Sequence, residues 1–170
     1  MSSPGQSTPE HRSTPSVTHE QRLEALGLAL PGPYPPHDPL DAVVVWNGIA
    51  RTSGQLARDH DGQIRSPGRL GDDVDIDEGA EAARWCALNA LSVLRAELGS
   101  LDRIERVITL TGFVACAPGF AGQPAVIDGA SRLLQEVFGD AGRHTRSALG
   151  VAALPRGASV EVELTVAVRD

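Results

Sequence analysis

The chain has 170 residues, of which 41% are hydrophobic and 22% are charged, and its formal net charge is −7. This length suits one domain with its own core. Binding to phosphate backbones needs clustered Lys and Arg, so the acidic balance argues against nucleic acid as a partner. No apolar run is long enough for a membrane span, and the first residues lack the apolar core of a secretory signal. We therefore expect a cytoplasmic protein without membrane contact.

The N-terminal part of the chain divides into two segments before the domain proper. Residues 1–17 are dominated by Ser, Thr, Pro and Gly, a composition that predicts disorder because it buries too little apolar area. Residues 18–39 are predicted to form a short helix capped by Thr18, followed by the extended connector PGPYPPHDP. The domain itself is expected over 40–170. The helix is predicted to place three leucines on roughly one side: Leu23, Leu26 and Leu28.

A hairpin and a long helix are predicted next. The stretch AVVVWNGIARTSGQL indicates two strands around Asn47-Gly48, a dipeptide that tolerates the positive φ angles of a tight turn. The stretch EGAEAARWCALNALSVLRAELGS has helical periodicity. Asp75 with Glu78, or Asp77, can cap its start, and Gly99 can end it. Its apolar stripe comprises Ala83, Ala87, Ala90, Leu91, Leu94 and Leu98.

The second half repeats this alternation of strands and helices. RIERVITLTGFVAC is β-branched and predicts a strand, whereas PAVIDGASRLLQEVFGD predicts a second long helix. Two strands, SALGVAAL and ASVEVELTVAV, follow on either side of the turn at residues 155–157. The second helix has the apolar stripe Val126, Ala130, Leu133, Leu134 and Val137. The last strand directs Val160, Val162, Leu164, Val166 and Val168 to one face and Glu161, Glu163 and Thr165 to the other.

This order of elements predicts an α+β fold in which two helices cover one face of a single mixed β-sheet. The other face still needs a cover. Because it carries polar side chains of the last strand, it suggests an enclosed cleft in an oligomer.

No metal site or reactive thiol pair is expected. The histidines are scattered and lack a helical i, i+4 partner: His11, His19, His37, His60 and His144. The acidic run GDDVDIDEG departs from a calcium loop at its sixth and twelfth positions, so helix capping explains it better. Cys86 and Cys116 lie in apolar segments and are predicted to be buried thiols.

Arg146 and Glu161 form the sharpest pair of candidate residues. Arg146 offers a planar fork of donors for a carboxylate, and Glu161 could orient or deprotonate a water. Antiparallel pairing of the last two strands could bring them to one site. Ser53, at a strand end beside Gly54, could face the same cleft. From residue types alone, an ordinary surface arginine, a solvated glutamate and a plain strand-end serine remain open alternatives.

Three segments stand out for their combination: TSGQ after the hairpin, RVITLTGFV, and RSALGVAALPRGASVEVE near the C-terminus. Together they resemble the RidA/YjgF/UK114 family, also described as endoribonuclease L-PSP or chorismate-mutase-like, and the likeness covers roughly residues 40–168. The closing segment matches the family pattern R-x-x-x-x-V-x-x-L-P-x-x-x-x-V-E-V-E in order and register. From Gly99 to Pro155 the chain resembles a bacterial subgroup with a longer form of the motif.

The resemblance implies a homotrimer with a barrel-like core of sheets, helices outside, and ligand clefts at subunit interfaces. It also implies hydrolysis of reactive enamines and imines of amino acids to 2-keto acids and ammonia, without metal or organic cofactor. Carried over by position, Arg146 would bind the substrate carboxylate and Glu161 would help position the attacking water. Ser53 and the Gly54 backbone would line the cleft.

Some positions depart from the family pattern. The cysteine that often follows the Arg-Ser pair is Ala148, and an asparagine of the second helix is replaced by Asp128. The expected tyrosine falls near Leu40, with Tyr34 too far upstream to assign. These departures keep a non-catalytic trimeric binder or regulator of small carboxylates as the alternative to an enzyme. RNA cleavage and chorismate mutase activity are weaker options, because the net charge opposes the first and a shared fold does not carry chemistry.

Overall fold

The computed structural model describes residues 17–36 and 39–169. The predicted N-terminal disorder, apart from Val17, falls outside the described residues. None of the helices within those ranges is both long enough and apolar enough to cross a membrane. The elements are α1 (His19–Ala25), β1 (Val43–Trp46), β2 (Ile49–Thr52), β3 (Gln55–Leu56), α2 (Ile76–Leu98), β4 (Ile104–Ala115), α3 (Gln123–Phe138), β5 (Thr145–Val151) and β6 (Val160–Val168).

The strands form one mixed sheet in the order β1-β2-β6-β4-β5, with β3 also paired to β6. Strands β4 and β5 are parallel, and the other pairs are antiparallel. The predicted pairing of the last two strands is therefore wrong, because β4 lies between β5 and β6. The physical reason is the crossover helix α3, which returns the chain to the starting end of β4 and lets β5 run parallel to it.

Helices α2 and α3 cover one face of this sheet, as predicted, and the α+β fold class is confirmed. The apolar stripes of both helices are buried, and so are the apolar side chains of β6. Glu161, Glu163 and Thr165 alternate with them and are half-buried on the other face. Within the described residues, that other face has no helix packed against it.

Local sequence signals set the ends of the helices. Asp75 Oδ1 accepts a 2.9 Å hydrogen bond from Glu78 N, and Glu78 returns one to Asp75 N, which forms the predicted capping box of α2. Gly99 ends α2 at a left-handed φ of 83°. Thr18 caps α1 in the same way. The predicted leucine stripe of α1 is wrong at Leu26, which is 44% exposed because the helix ends at Ala25.

The hairpin of β1 and β2 has the predicted turn. Asn47 and Gly48 have φ values of 48° and 72°, as a type I′ turn requires. Beyond the hairpin, β2 leaves β6 after Arg51 and β3 rejoins it at Gln55. Residues 52–54 make no backbone pair with β6, and Thr52 Oγ1 accepts a 3.1 Å hydrogen bond from Leu164 N instead. This break opens a cavity beside β6.

Gly129→Ala should destabilise the fold through the contact between α2 and α3. A Cβ at Gly129 would lie 1.9 Å from the carbonyl oxygen of Ala80, and a backbone atom inside a helix cannot move aside. Overpacking of this kind costs about 1–3 kcal/mol, which exceeds the gain of about 1 kcal/mol in helix propensity. Urea unfolding measures the difference. Gln135→Ala, at an exposed position of the same helix, should stay within about 0.5 kcal/mol of the parent, and equal stability of the two variants would contradict the prediction.

Candidate functional site

A cavity of about 240 Å³ opens at the break between β2 and β3. Its wall brings together the Pro-rich connector, the break itself and the start of β6. Residues of this wall include Tyr34, Leu40, Ser53, Gly54, Arg58 and Glu161. The cavity is smaller than sites for drug-sized ligands, which run from about 300 to 1,000 Å³, so it suits a small metabolite.

Glu161 is the acidic residue among those named in this wall. Burial raises the pKa of its carboxyl, and the nearby charge of Glu163 raises it further. A carboxyl with a raised pKa is a better proton acceptor in its ionised form than an ordinary glutamate is. The carboxyl is thus equipped to take a proton from a water molecule in the cavity.

Gly54 lies directly against the Glu161 carboxyl. A Cβ at Gly54 would be 1.7 Å from Glu161 Oε1 and 2.7 Å from its Cδ, closer than any real contact. The backbone of Gly54 needs no positive φ, so the glycine is explained by this close approach alone. It lets the carboxyl approach the backbone of residue 54 in the wall of the cavity.

Ser53 is fixed at the same break by two hydrogen bonds to the backbone just before β1. Its backbone N donates to the carbonyl of Ala42 at 2.8 Å, and its hydroxyl donates to the carbonyl of Asp41 at 2.5 Å. Because the single hydroxyl proton is committed to Asp41, the Ser53 oxygen can face a ligand only as an acceptor. Ser53 therefore does not have the geometry of an activated nucleophile in this structure.

Arg146 lies on the edge strand β5 and points toward α3. Its Nη1 donates to Asp128 Oδ1 at 2.8 Å and to Ser131 Oγ at 3.1 Å, and its Nη2 donates to the carbonyl of Pro124 at 3.3 Å. Three of the five N–H donors of the guanidinium are thereby used. The Nε–H and one N–H of Nη2 have no partner within the described chain and could still bind a carboxylate.

Arg146 and Glu161 do not meet within one chain, contrary to the antiparallel pairing considered above. Leu110 of β4 pairs with both Arg146 and Leu164, which places these side chains on the helix-covered face. Glu161 is three residues from Leu164 and so points to the opposite face. The Cα atoms of Arg146 and Glu161 are two strand spacings apart across the sheet and three residues apart along the strand direction. Together these offsets give a separation of about 14 Å.

The remaining predicted residues cluster with Arg146, not with Glu161. Asp128 is the ion-pair partner described above and also lies 3.8 Å from Arg132. Ala148 is half-buried and packs against the core on the helix-covered side. Neither residue lines the cavity at Glu161.

Two cavity residues were missed from the sequence. Tyr34 was set aside as too distant, yet the connector folds back so that its ring reaches the wall and its hydroxyl donates to the carbonyl of Asp59. Arg58 stacks over that ring, with its Cζ 5.2 Å from the ring centroid. Leu40 also lines the cavity, so Tyr34 and Leu40, the two candidate positions for the family tyrosine, both lie in its wall. The tyrosine in PGPYPP was the signal available, because an aromatic residue in a polar connector needs a packing partner.

Metal ligands and thiols do not form a second centre in the described part of the chain. No group of three or more His, Cys, Asp and Glu side chains there could hold a metal ion. Cys86 is buried and donates to the carbonyl of Val160 at 3.3 Å, and burial raises the pKa of its thiol well above the usual value. Cys116 is also a free thiol, but it is only half-buried, so the prediction of two buried cysteines holds for Cys86 alone.

Comparison with known proteins identifies what the chain is similar to. Residues 20–166 match the family model described as "YjgF/chorismate mutase-like, putative endoribonuclease". Protein TCP17 of Trypanosoma cruzi is 43% identical over 145 residues, which cover 85% of this chain and 90% of that protein. The crystal structure of Atu1372 from Agrobacterium tumefaciens has 40% identity and a TM-score of 0.82, covering 90% and 94% of the two chains. Escherichia coli TdcF, solved with bound serine, shares the fold at 22% identity and a TM-score of 0.55, with coverage of 80% and 92%.

Gly54→Ala should displace the Glu161 carboxyl without unfolding the protein. The added methyl group meets the flexible end of the glutamate, which can swing away into the cavity. We expect the pKa of Glu161, followed by NMR titration of its side-chain carbon, to move back toward the usual value as the carboxyl gains solvent. The double variant Gly54→Ala/Glu161→Gln lacks the Glu161 carboxyl, so the signal that disappears in it is the one that belongs to Glu161. An unchanged Glu161 titration in Gly54→Ala would contradict the close approach seen here.

Proposed function

The chain belongs to the YjgF/chorismate mutase-like family, and on this premise we propose that it is a cofactor-independent deaminase of the RidA type. Its substrates would be small reactive 2-imino acids and their enamine tautomers, which it would hydrolyse to 2-keto acids and ammonia. The observation that carries the proposal is the half-buried Glu161 carboxyl, with its raised pKa, in a small cavity beside Gly54.

The proposed site lies between two copies of the chain. A small 2-imino acid cannot span the separation of about 14 Å between Arg146 and Glu161 of one copy, which also lie on opposite faces of the sheet. Arg146 is on the edge strand β5, where a second copy can approach it. In a homotrimer, Arg146 of one subunit would supply the carboxylate contact and the next subunit would supply Glu161. The uncovered sheet face offers the surface for such an assembly, with Trp46 75% and Leu149 47% exposed.

The proposed reaction uses only side chains and water. The Glu161 carboxylate accepts a proton from a water molecule whose oxygen bonds to the imine carbon, and the C=N π-electron pair moves to nitrogen. Return of that proton to the nitrogen gives a carbinolamine. Glu161 then takes the proton of the new hydroxyl group and passes it to the amino nitrogen, so that the oxygen electron pair forms the C=O bond as the C–N bond breaks and ammonia leaves. The two free N–H donors of Arg146 would hold the substrate carboxylate throughout. Positioning of water and substrate supplies the rest of the catalysis.

Binding of a small amino-acid-like ligand has a parallel in a protein of the same fold. TdcF of Escherichia coli was crystallised with bound serine, which carries the carboxylate and nitrogen that a 2-imino acid also has. At 22% identity this likeness extends to the fold, and the ligand class is part of the proposal for the present chain.

A non-catalytic trimeric binder of small carboxylates is the second candidate function. The observation that favours it is the ion pair of Asp128 with Arg146 at 2.8 Å, which cancels much of the guanidinium charge that would attract an acidic ligand. A binder would show saturable protection of Arg146 by a keto acid, without turnover of the imine. RNA cleavage has no such observation behind it.

The deaminase proposal is tested by release of ammonia from 2-iminobutanoate generated in situ. We expect acceleration over buffer, a loss of about 100-fold or more in Glu161→Gln, and a similar loss of kcat/KM in Arg146→Ala. Arg132→Ala is the matched control, because Arg132 also pairs with Asp128 but is 74% exposed, and we expect it to retain the parent activity.

The proposal fails if the parent protein does not accelerate ammonia release, or if Glu161→Gln and Arg146→Ala match it. Binding of 2-ketobutyrate by the parent without turnover would favour the binder instead. Mixing inactive Glu161→Gln with inactive Arg146→Ala tests the shared site: mixed trimers contain some interfaces with both residues intact and should regain part of the activity.

The pH profile of deamination should carry the signature of Glu161. Activity requires the ionised carboxylate, so it should fall as the pH drops through a pKa above the value of about 4.3 for an ordinary glutamate. Glu163→Gln removes the neighbouring negative charge and should move this acidic side of the profile to lower pH. Burial should still keep the pKa of Glu161 above the value of an ordinary glutamate. Glu136→Gln, on the outer side of α3, should leave the acidic side of the profile unmoved. An equal shift of it in both variants would count against Glu161 as the titrating group.

A further inference from the structure

We propose that Arg58 binds a second acidic group of the ligand, so that the preferred substrates are the imines of 2-keto dicarboxylic acids. This inference rests on the proposed function and adds the substrate class. The cavity at Glu161 would hold the reacting carbon near the carboxyl and the acidic side chain of the ligand near Arg58. A monocarboxylic substrate would leave that guanidinium without an anion.

Arg58 is positioned in the wall of the Glu161 cavity and held there from several sides. Its side chain stacks over the Tyr34 ring at 5.2 Å, and its backbone carbonyl accepts a 2.8 Å hydrogen bond from Asn89 Nδ2. Its Nε is fully buried and makes no hydrogen bond to the described chain. A guanidinium ordered in this way presents its donors with little further loss of side-chain entropy.

Arg58 has no acidic partner in the described part of the chain, although the chain as a whole carries −7. Among residues 17–36 and 39–169, no carboxylate lies within the 4.0 Å of an ion pair with Arg58. Burial, and then the charge of Arg156, lower the pKa of Arg58, whereas Tyr34 acts in the opposite direction. An arginine nevertheless stays protonated in a protein. An acidic group of a ligand would relieve both unfavourable contributions at once.

The turn that carries Arg156 borders the same cavity. Pro155 lines it, and Arg156 takes a left-handed φ of 59°, which is uncommon for a residue other than glycine. Glu161 also lines the cavity, but its carboxyl is more than 4.0 Å from the Arg58 nitrogens, since the two residues form no ion pair. The cavity therefore separates the two side chains. A ligand bound by Arg146 of the neighbouring subunit and reacting beside Glu161 would extend its side chain into this space.

The test compares binding of 2-oxoglutarate and 2-ketobutyrate to the full-length protein by titration calorimetry. We expect the parent to bind 2-oxoglutarate about tenfold or more tightly than 2-ketobutyrate, and Arg58→Met to lose this preference. Arg65→Met is the matched control. Arg65 also stacks on an aromatic ring, with its Cζ 5.5 Å from the Trp85 centroid, but it does not line the cavity.

Arg58→Lys keeps the charge without the planar fork and should retain part of the preference, which guards against a general loss of structure in Arg58→Met. Equal affinity of the parent for both acids, or an unchanged preference in Arg58→Met, overturns the inference and leaves the deaminase proposal standing. If the parent binds neither acid and releases no ammonia from either imine, the proposed function itself fails. A preference that disappears equally in Arg65→Met would also overturn the role of Arg58.

Discussion

The sheet buries only one face against helices, and this constraint decides where every candidate residue lies. Helices α2 and α3 approach closely because Gly129 lets α3 lie against the backbone of α2 at Ala80, and Gly112 leaves space on β4 for Ile127. Because strand side chains alternate between faces, the apolar residues of β6 go to the helices and the acidic ones go to the open face. The same alternation places Arg146 on the helix side and Glu161 opposite. A site that uses both residues therefore needs an assembly, and the fold leaves the open face available for one.

The cavity depends on a second constraint, the interruption of the sheet between β2 and β3. A continuous strand would pair along β6 and fill this space with its own side chains. Residues 52–54 make no backbone pair with β6, and the buried hydroxyl of Thr52 replaces one of the missing partners for β6. Ser53 and Gly54 can then approach Glu161, and the connector with Tyr34 closes the outer side. Interruptions of this kind are common where a sheet carries a site, because they redirect side chains without loss of the core.

Local patterns in the sequence predicted the elements well, since their causes are local. Asn47-Gly48 determines its turn through backbone conformation, and Asp75 with Glu78 caps α2 through contacts three residues apart. The strand order could not be predicted in this way, because consecutive strands are neighbours in most sheets but β5 and β6 are separated by β4. Tyr34 and Arg58 were missed for a related reason. Their positions depend on the path of an irregular connector, and no periodicity describes such a path.

The central position of β6 also has a consequence for the order in which the protein folds. β6 is the last strand along the chain, yet it lies between β2 and β4 and pairs with β3 as well. During synthesis the hairpin and the two long helices can form early, but the two halves of the sheet have no common partner until β6 leaves the ribosome. Until then the nascent chain exposes unpaired strand edges of β2 and β4, which are open to pairing with other chains. The long sequence separation between β6 and its partners thus makes closure of the sheet wait for β6, a topology that favours slow folding.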